Sequence, residues 1–181
     1  ELSQAAITAA WLVLFLCGAF LSGIIVHFAH ASQTSVYKFP LLVIVTIIAS
    51  VAAGGSFLHH FPHAHAYLTG ALLLAMGMQN ALVTIVSGAV VRTTHLTGMF
   101  TDLGIDLATA IKGSIAEEAR KRIWLRLAII GFFLIGGIAG GWLFLRWHFY
   151  AFTVPAAIML FATWYDRASI LAKRMIRKNT V

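Results

Sequence analysis

Charge is what this sequence has least of. Only 10% of its 181 residues are Asp, Glu, Lys or Arg, against about 25% in an ordinary water-soluble domain. With 60% hydrophobic residues and a mean hydropathy of +0.89, a soluble enzyme domain is excluded. Acids are scarcer still: six, against thirteen Lys and Arg, for a formal charge of +7. In a soluble chain that excess would point to nucleic acid. In a chain this apolar it marks the cytoplasmic face of a membrane protein, and no nucleic-acid partner is expected. Cysteine occurs once, as Cys17 inside an apolar run, so an internal disulfide and a Cys-based metal site are both excluded. Motifs for nucleophiles and phosphates are missing as well: there is no Gly-x-Ser-x-Gly, no His-Glu-x-x-His and no Walker sequence. The expectation is a protein that is not an enzyme and holds no cofactor.

What the chain has is long apolar runs. A spanning helix needs about 20 mostly apolar residues. Ala5–Phe28, Phe39–Leu58, Ala66–Val91 and Ile123–Trp147 meet that length, and the shorter Phe149–Tyr165 gains anchors from Trp147, Trp164 and Tyr165. The fold class expected is an all-α polytopic membrane bundle, one transmembrane domain over residues 1–181, with about five spans. Leu96–Ile111 is a sixth, different segment. Asp102 and Asp106 fall at i and i+4 on one face with Gly98 and Thr109, opposite Met99, Leu103, Leu107 and Ala110. It reads as a short amphipathic or re-entrant helix.

Charge placement sets the topology. If Leu96–Ile111 does not cross, twelve of the thirteen cations share one side and only Arg146 lies opposite; if it crosses, the split is ten to three. Positive-inside bias selects the first arrangement, with an external N-terminus and a cytoplasmic C-terminus. The basic tail, residues 166–181, alternates Arg167, Arg174, Arg177 and Lys178 with Ile170, Leu171, Met175 and Ile176, as an interfacial helix on anionic lipid does. The first residues are not a signal peptide, and the start at Glu1-Leu2-Ser3 reads as that of a processed or truncated product.

Phe15–Gly23 (FLCGAFLSG) matches Phe133–Gly141 (FLIGGIAGG) at an offset of 118 residues. Each copy carries two small-xxx-small pairs: Gly18 with Ser22 and Ala19 with Gly23 in the first, Gly136 with Gly140 and Gly137 with Gly141 in the second. Such stripes let helix backbones approach closely. Each copy precedes a helix with a proline near its start, Pro40 or Pro155. An internal repeat of the kind found in transporters is expected, and with it a counterpart of Tyr67–Gly113 before residue 1.

Three groups of residues offer chemistry. Gln79 and Asn80 fall near the middle of the third span, where an amide needs a partner. They suit either a substrate contact or a bond between helices. Thr93, Thr94 and Thr97 follow in a hydroxyl-rich link with the donors of a helix start, and Asp102 and Asp106 suit a cation or proton on the same element. His59, His60, His63 and His65 form a dense imidazole cluster of a kind that binds zinc or copper, although no carboxylate or thiol stands near.

Gly77-Met78-Gln79-Asn80-Ala81, then Thr93-Thr94-His95-Leu96-Thr97-Gly98, then Leu103-Gly104 resemble the second-half signature of the YoaK-like bacterial membrane proteins, small multi-span proteins with a domain of unknown function. The resemblance implies a bacterial inner-membrane protein and supplies no activity. Members also carry an N-terminal Gly-x-x-Asp-Ala helix followed by Thr-Gly-Asn, which this chain lacks, in keeping with the repeat. Asp102 stands where many members have no acid, so a role for it is particular to this chain.

Three functional readings stay open. The first is a transporter-like protein of unknown substrate, with Gln79, Asn80, Thr93, Thr94, Thr97, Asp102 and Asp106 lining its site. The second is an accessory subunit, or a homo-oligomer, whose glycine stripes receive neighbouring helices. The third is a His-rich metal-binding membrane protein. In all three the lipid bilayer is the main partner.

Overall fold

A computed structural model describes residues 2–28, 37–58, 60–88, 96–111 and 117–178, with side chains described within residues 4–165. Along these residues run α1 (Leu2–Phe28), α2 (Lys38–Leu58), α3 (Ala64–Val86), α4 (Leu96–Ile111), α5 (Glu117–Trp147) and α6 (Thr153–Lys178). A 3-10 turn, His148–Phe152, joins α5 to α6. No strand occurs among the described residues. Four segments are long and apolar enough to cross a membrane: Gln4–Phe28, Lys38–Leu58, Ala64–Val86 and Glu117–Tyr165.

The last of these covers 49 residues. As one straight helix it would reach about 74 Å, more than twice the ~30 Å hydrocarbon core. His148 interrupts it, at a left-handed φ of 48°. Aromatic packing then fixes the corner. Phe144 meets Phe149 and Phe152 edge-on at 5.8 and 5.9 Å, and His65 stacks on Phe149 at 6.4 Å. Gly55 of α2 makes room for that ring, since a Cβ there would run into Phe149.

Helix α4 has the bounds its periodicity implies, Leu96–Ile111. By contrast, α3 stops at Val86, short of the Val91 suggested by hydropathy. Gly88 takes φ 62°, and the last turn is closed by Ser87 N–H to Val83 O (2.9 Å) and Gly88 N–H to Ile85 O (3.2 Å). Glycine adopts this left-handed conformation at no steric cost, so a helix ends there even inside an apolar run.

Pairings along the helices give the directions. Trp11 donates its indole N–H to Ala66 O (3.1 Å), Leu14 meets Gly70, and Gly18 meets Leu74, so α1 and α3 run parallel. Lys38 lies beside Trp164 and Gly55 beside Phe149, so α2 and α6 run antiparallel. The core sits where α2, α3 and α6 converge, on Ile44, Ile48, Ala75, Met78, Leu82 and Ala156.

The α1–α3 seam is closer than side chains permit. A Cβ on Gly18 would collide with the carbonyl of Leu74, and one on Gly77 with the carbonyl of Phe15, 3.1 Å from Ala19 N. The two glycines therefore bring backbone onto backbone, as small residues do at membrane helix crossings. Ser22, one turn beyond Gly18, is fully buried there and its Oγ has no hydrogen-bond partner among the described residues. A buried hydroxyl without a partner costs stability. Ser22→Ala is expected to raise the unfolding free energy by about 1 kcal/mol in detergent; a loss of stability would show that Oγ has a partner in the membrane.

The second stripe has no neighbour among the described residues: a Cβ built on Gly136, Gly137, Gly140 or Gly141 meets none of them within 4 Å. Among the described residues α5 touches only α4 and the 3-10 turn.

Candidate functional site

The densest polar constellation lies between α4 and α5. Met99 and Leu103 of α4 pack against Ile123 and Ile130 of α5, the apolar stripe expected of an amphipathic helix. That packing sets Asp102 and Asp106, one turn apart, opposite the first half of α5. Arg126 reaches between them. Its Nη1 donates to Asp106 Oδ2 and, at 3.2 Å, to the backbone carbonyl of Asp102; its Nη2 donates to Asp102 Oδ2 at 3.1 Å. Arg122 adds a longer ion pair to Asp106 Oδ1, at 3.9 Å.

Burial separates the four groups. Asp106 and Arg126 are 15% and 22% exposed, while Asp102 and Arg122 are 56% and 55% exposed. The inner pair carries the energetics, and the outer two lie in a solvent-like dielectric where ion pairs contribute little. Two carboxylates facing two guanidinium groups leave the cluster formally neutral. A planar guanidinium suits this role because its fixed fork can serve two acceptors at once. Chemically the arrangement is an ionic latch that holds α4 on α5.

The spacing of the carboxylates drew attention to Asp102 and Asp106, but their partners Arg122 and Arg126 were missed. The signal was present: α5 carries two cations at i and i+4, the complement of two acids at i and i+4 on α4. In the sequence the same arginines also serve as markers of membrane sidedness, which hides their pairing.

The other expected site residues sit elsewhere. Gln79 is exposed on α3 and Asn80 is half-buried. Asn80 O accepts from Thr84 Oγ1 (2.7 Å), and Thr84 O from Ser87 Oγ (3.3 Å), a ladder down one helix face. Among the described residues α3 and α4 do not touch, so these amides are not brought to Asp102 and Asp106. Thr97 is exposed in the first turn of α4, where its carbonyl accepts from Thr101 Oγ1 at 3.0 Å. Thr93 and Thr94 lie outside the described residues.

His59 also lies outside them. His63 starts α3 with a left-handed φ of 63°, and His65 stacks on Phe149. Among the described residues no three His, Cys, Asp or Glu side chains come together as metal ligands do.

Of the expected packing residues, Gly18 is buried against Leu74 and Met78 of α3, Ser22 is fully buried one turn on, and Ala19 is half-buried. Gly23 has open space where a side chain would extend, as do Gly136, Gly137, Gly140 and Gly141. Among the described residues, the α1 stripe is thus closed at Gly18 and the α5 stripe is not.

A family model described as "Protein of unknown function (DUF1275)" matches residues 1–165. The chain belongs to the DUF1275 family. The match covers α1 to α5 and the apolar half of α6, so the latch and both glycine stripes are inside the family region. No curated protein and no solved structure matches this DUF1275 chain. It is a membrane protein of a family whose function is not established, and its apolar helices face lipid.

Proposed function

We propose that this DUF1275 protein is one component of a larger helical membrane assembly, in which the stripe Gly136, Gly137, Gly140 and Gly141 receives a helix from another copy or subunit. One observation carries this reading. The same short motif occurs twice, and where it is closed, at Gly18, it holds a neighbouring helix at backbone contact, while at α5 it faces open space. The motif's recurrence supports an internal repeat.

In this reading the chain crosses a bacterial inner membrane five times, with the turn at His148 separating the last two crossings. Lys38, the end of α3 and the end of α6 share one face, and the cation excess makes that face cytoplasmic. Gly136→Leu combined with Gly140→Leu tests the surface. In vesicles, energy transfer between labelled chains, or between the chain and its co-purified partner, is expected to report association at least about tenfold weaker, equivalent to about 1.4 kcal/mol. Unchanged association would refute the assignment.

A second reading, transport, is favoured by the latch itself. Partly buried ion pairs at membrane helices mark ion and proton paths. Asp102 and Asp106 would then carry the cation or proton, with Gln79, Asn80, Thr93, Thr94 and Thr97 meeting substrate after α4 moves toward α3. Vesicles loaded with a pH dye test it: proton flux present with the native chain and lost with Asp106→Asn supports transport, and equal traces with and without protein oppose it. Among the described residues the histidines do not gather as metal ligands.

A further inference from the structure

We propose that the groove between α2 and α6 is a binding site for one anionic phospholipid, with the phosphate on Lys38 and an acyl chain lying along the two helices. The groove has a volume of about 240 Å³ and is lined by Lys38, Leu41, Leu42 and Val45 of α2 and by Leu160, Thr163 and Trp164 of α6. Its residues are graded along its length. Lys38 and Trp164 stand at one end, and aliphatic side chains continue from them toward the middle of the bundle. That order matches a phospholipid: a charged phosphate, an interfacial ester region that suits indole, then hydrocarbon.

Few polar groups are left to choose the ligand. Thr163 Oγ1 donates to Met159 O at 2.7 Å, which occupies its proton within α6. Lys38 forms no ion pair among the described residues, and the paired carboxylates Asp102, Asp106 and Glu117 all belong to α4 and α5, which do not touch α2. Recognition therefore rests on a single cation above a hydrocarbon slot. It selects by charge, and any anionic diacyl lipid fits.

The surroundings reinforce that charge. Helix α6 continues past the groove through Lys178. The stretch 166–181 contains Arg167, Lys173, Arg174, Arg177 and Lys178 against the single acid Asp166. By sequence these cations follow the groove directly, and each Lys or Arg near an anionic membrane surface adds attraction.

A second groove provides an internal comparison. It lies at the other end, between α1 and α3, has a volume of about 340 Å³, and is lined by Trp11, Leu14, His63, Tyr67 and other residues without a Lys or Arg. It has room for hydrocarbon but no permanent charge to discriminate among headgroups.

The test equilibrates the full-length protein in vesicles of roughly three parts phosphatidylcholine to one part phosphatidylglycerol, re-extracts it in mild detergent, and counts retained lipids by mass spectrometry. The native chain is expected to retain one phosphatidylglycerol above the bulk proportion. Lys38→Ala is expected to lower that retention about fivefold, Lys38→Arg to restore it, and Tyr67→Ala to leave it unchanged. Retention in the bulk proportion by the native chain would overturn the site. So would full retention by Lys38→Ala with loss on neutralising Arg174 and Arg177, because the tail alone would then hold the lipid. The readout is the same for a lone chain and for an assembly, so it stands apart from the test of the α5 stripe.

Discussion

Gly77→Leu is expected to separate α1 from α3 and to cost roughly 3 kcal/mol or more of stability. A Cβ at Gly77 would press on the Phe15 carbonyl, with Phe15 C at 2.9 Å and Ala19 N at 3.1 Å. These are backbone atoms, so no side chain can rotate away and the helices themselves must part. Separation also opens the Gly18 contact on the other side of the seam and loosens Met78, which is 2% exposed in the core. Unfolding in detergent, followed by helix content and by tryptophan fluorescence, checks this. Gly137→Leu is the matched control. No described residue lies within 4 Å of its Cβ, so its effect on the lone chain is expected to stay within about 0.5 kcal/mol. Equal effects at both glycines would mean that the α1–α3 crossing does not form as described.

Arg126→Leu is expected to release α4. Breaking a fully buried ion pair costs about 3–5 kcal/mol, because one charge is left without its partner. Asp106 and Arg126 keep partial access to solvent, at 15% and 22%, so about 2 kcal/mol is expected here. Helix α4 has no other contact among the described residues, and only Met99 and Leu103 are buried on it. Hydrogen exchange across 96–111 should therefore quicken sharply while α1 and α3 keep their protection. Asp102→Asn, at a position 56% exposed, is expected to cost less than about 1 kcal/mol. Adding Asp106→Asn to Arg126→Leu should recover part of the loss, since it removes the stranded charge. Unchanged exchange in Arg126→Leu would show that apolar packing alone holds α4.

How far the sequence disclosed this arrangement varies from element to element. Helix α4 could be delimited because its polar and apolar faces alternate with a helical period and its ends are polar. The end of α3 could not, because Gly88 sits inside a run that stays apolar through Val91, and hydropathy does not register a residue's φ. The glycine stripe of α1 announced a close helix contact but could not name the helix that makes it. Gly77, its counterpart, stands beside Gln79 and Asn80, whose amides draw a sequence reading of that stretch to polar contacts and away from packing. The carboxylates of α4 were legible through their spacing, whereas Arg126 was hidden by a second role, since the same cation also reports membrane sidedness. Gly55 left no sequence signal, because the Phe149 ring that needs its space lies 94 residues away.

The most direct measurement is the native mass of the protein released from lipid or mild detergent. Association through α5 predicts a mass greater than that of one chain plus bound lipid, made up of further copies or of a different subunit. It also predicts a fall to the single-chain mass when Gly136 and Gly140 are both replaced by leucine, with helix content unchanged. A single-chain mass for the native protein at every concentration, identical to that of the double variant, would contradict the assembly and leave the α5 stripe as a surface for lipid.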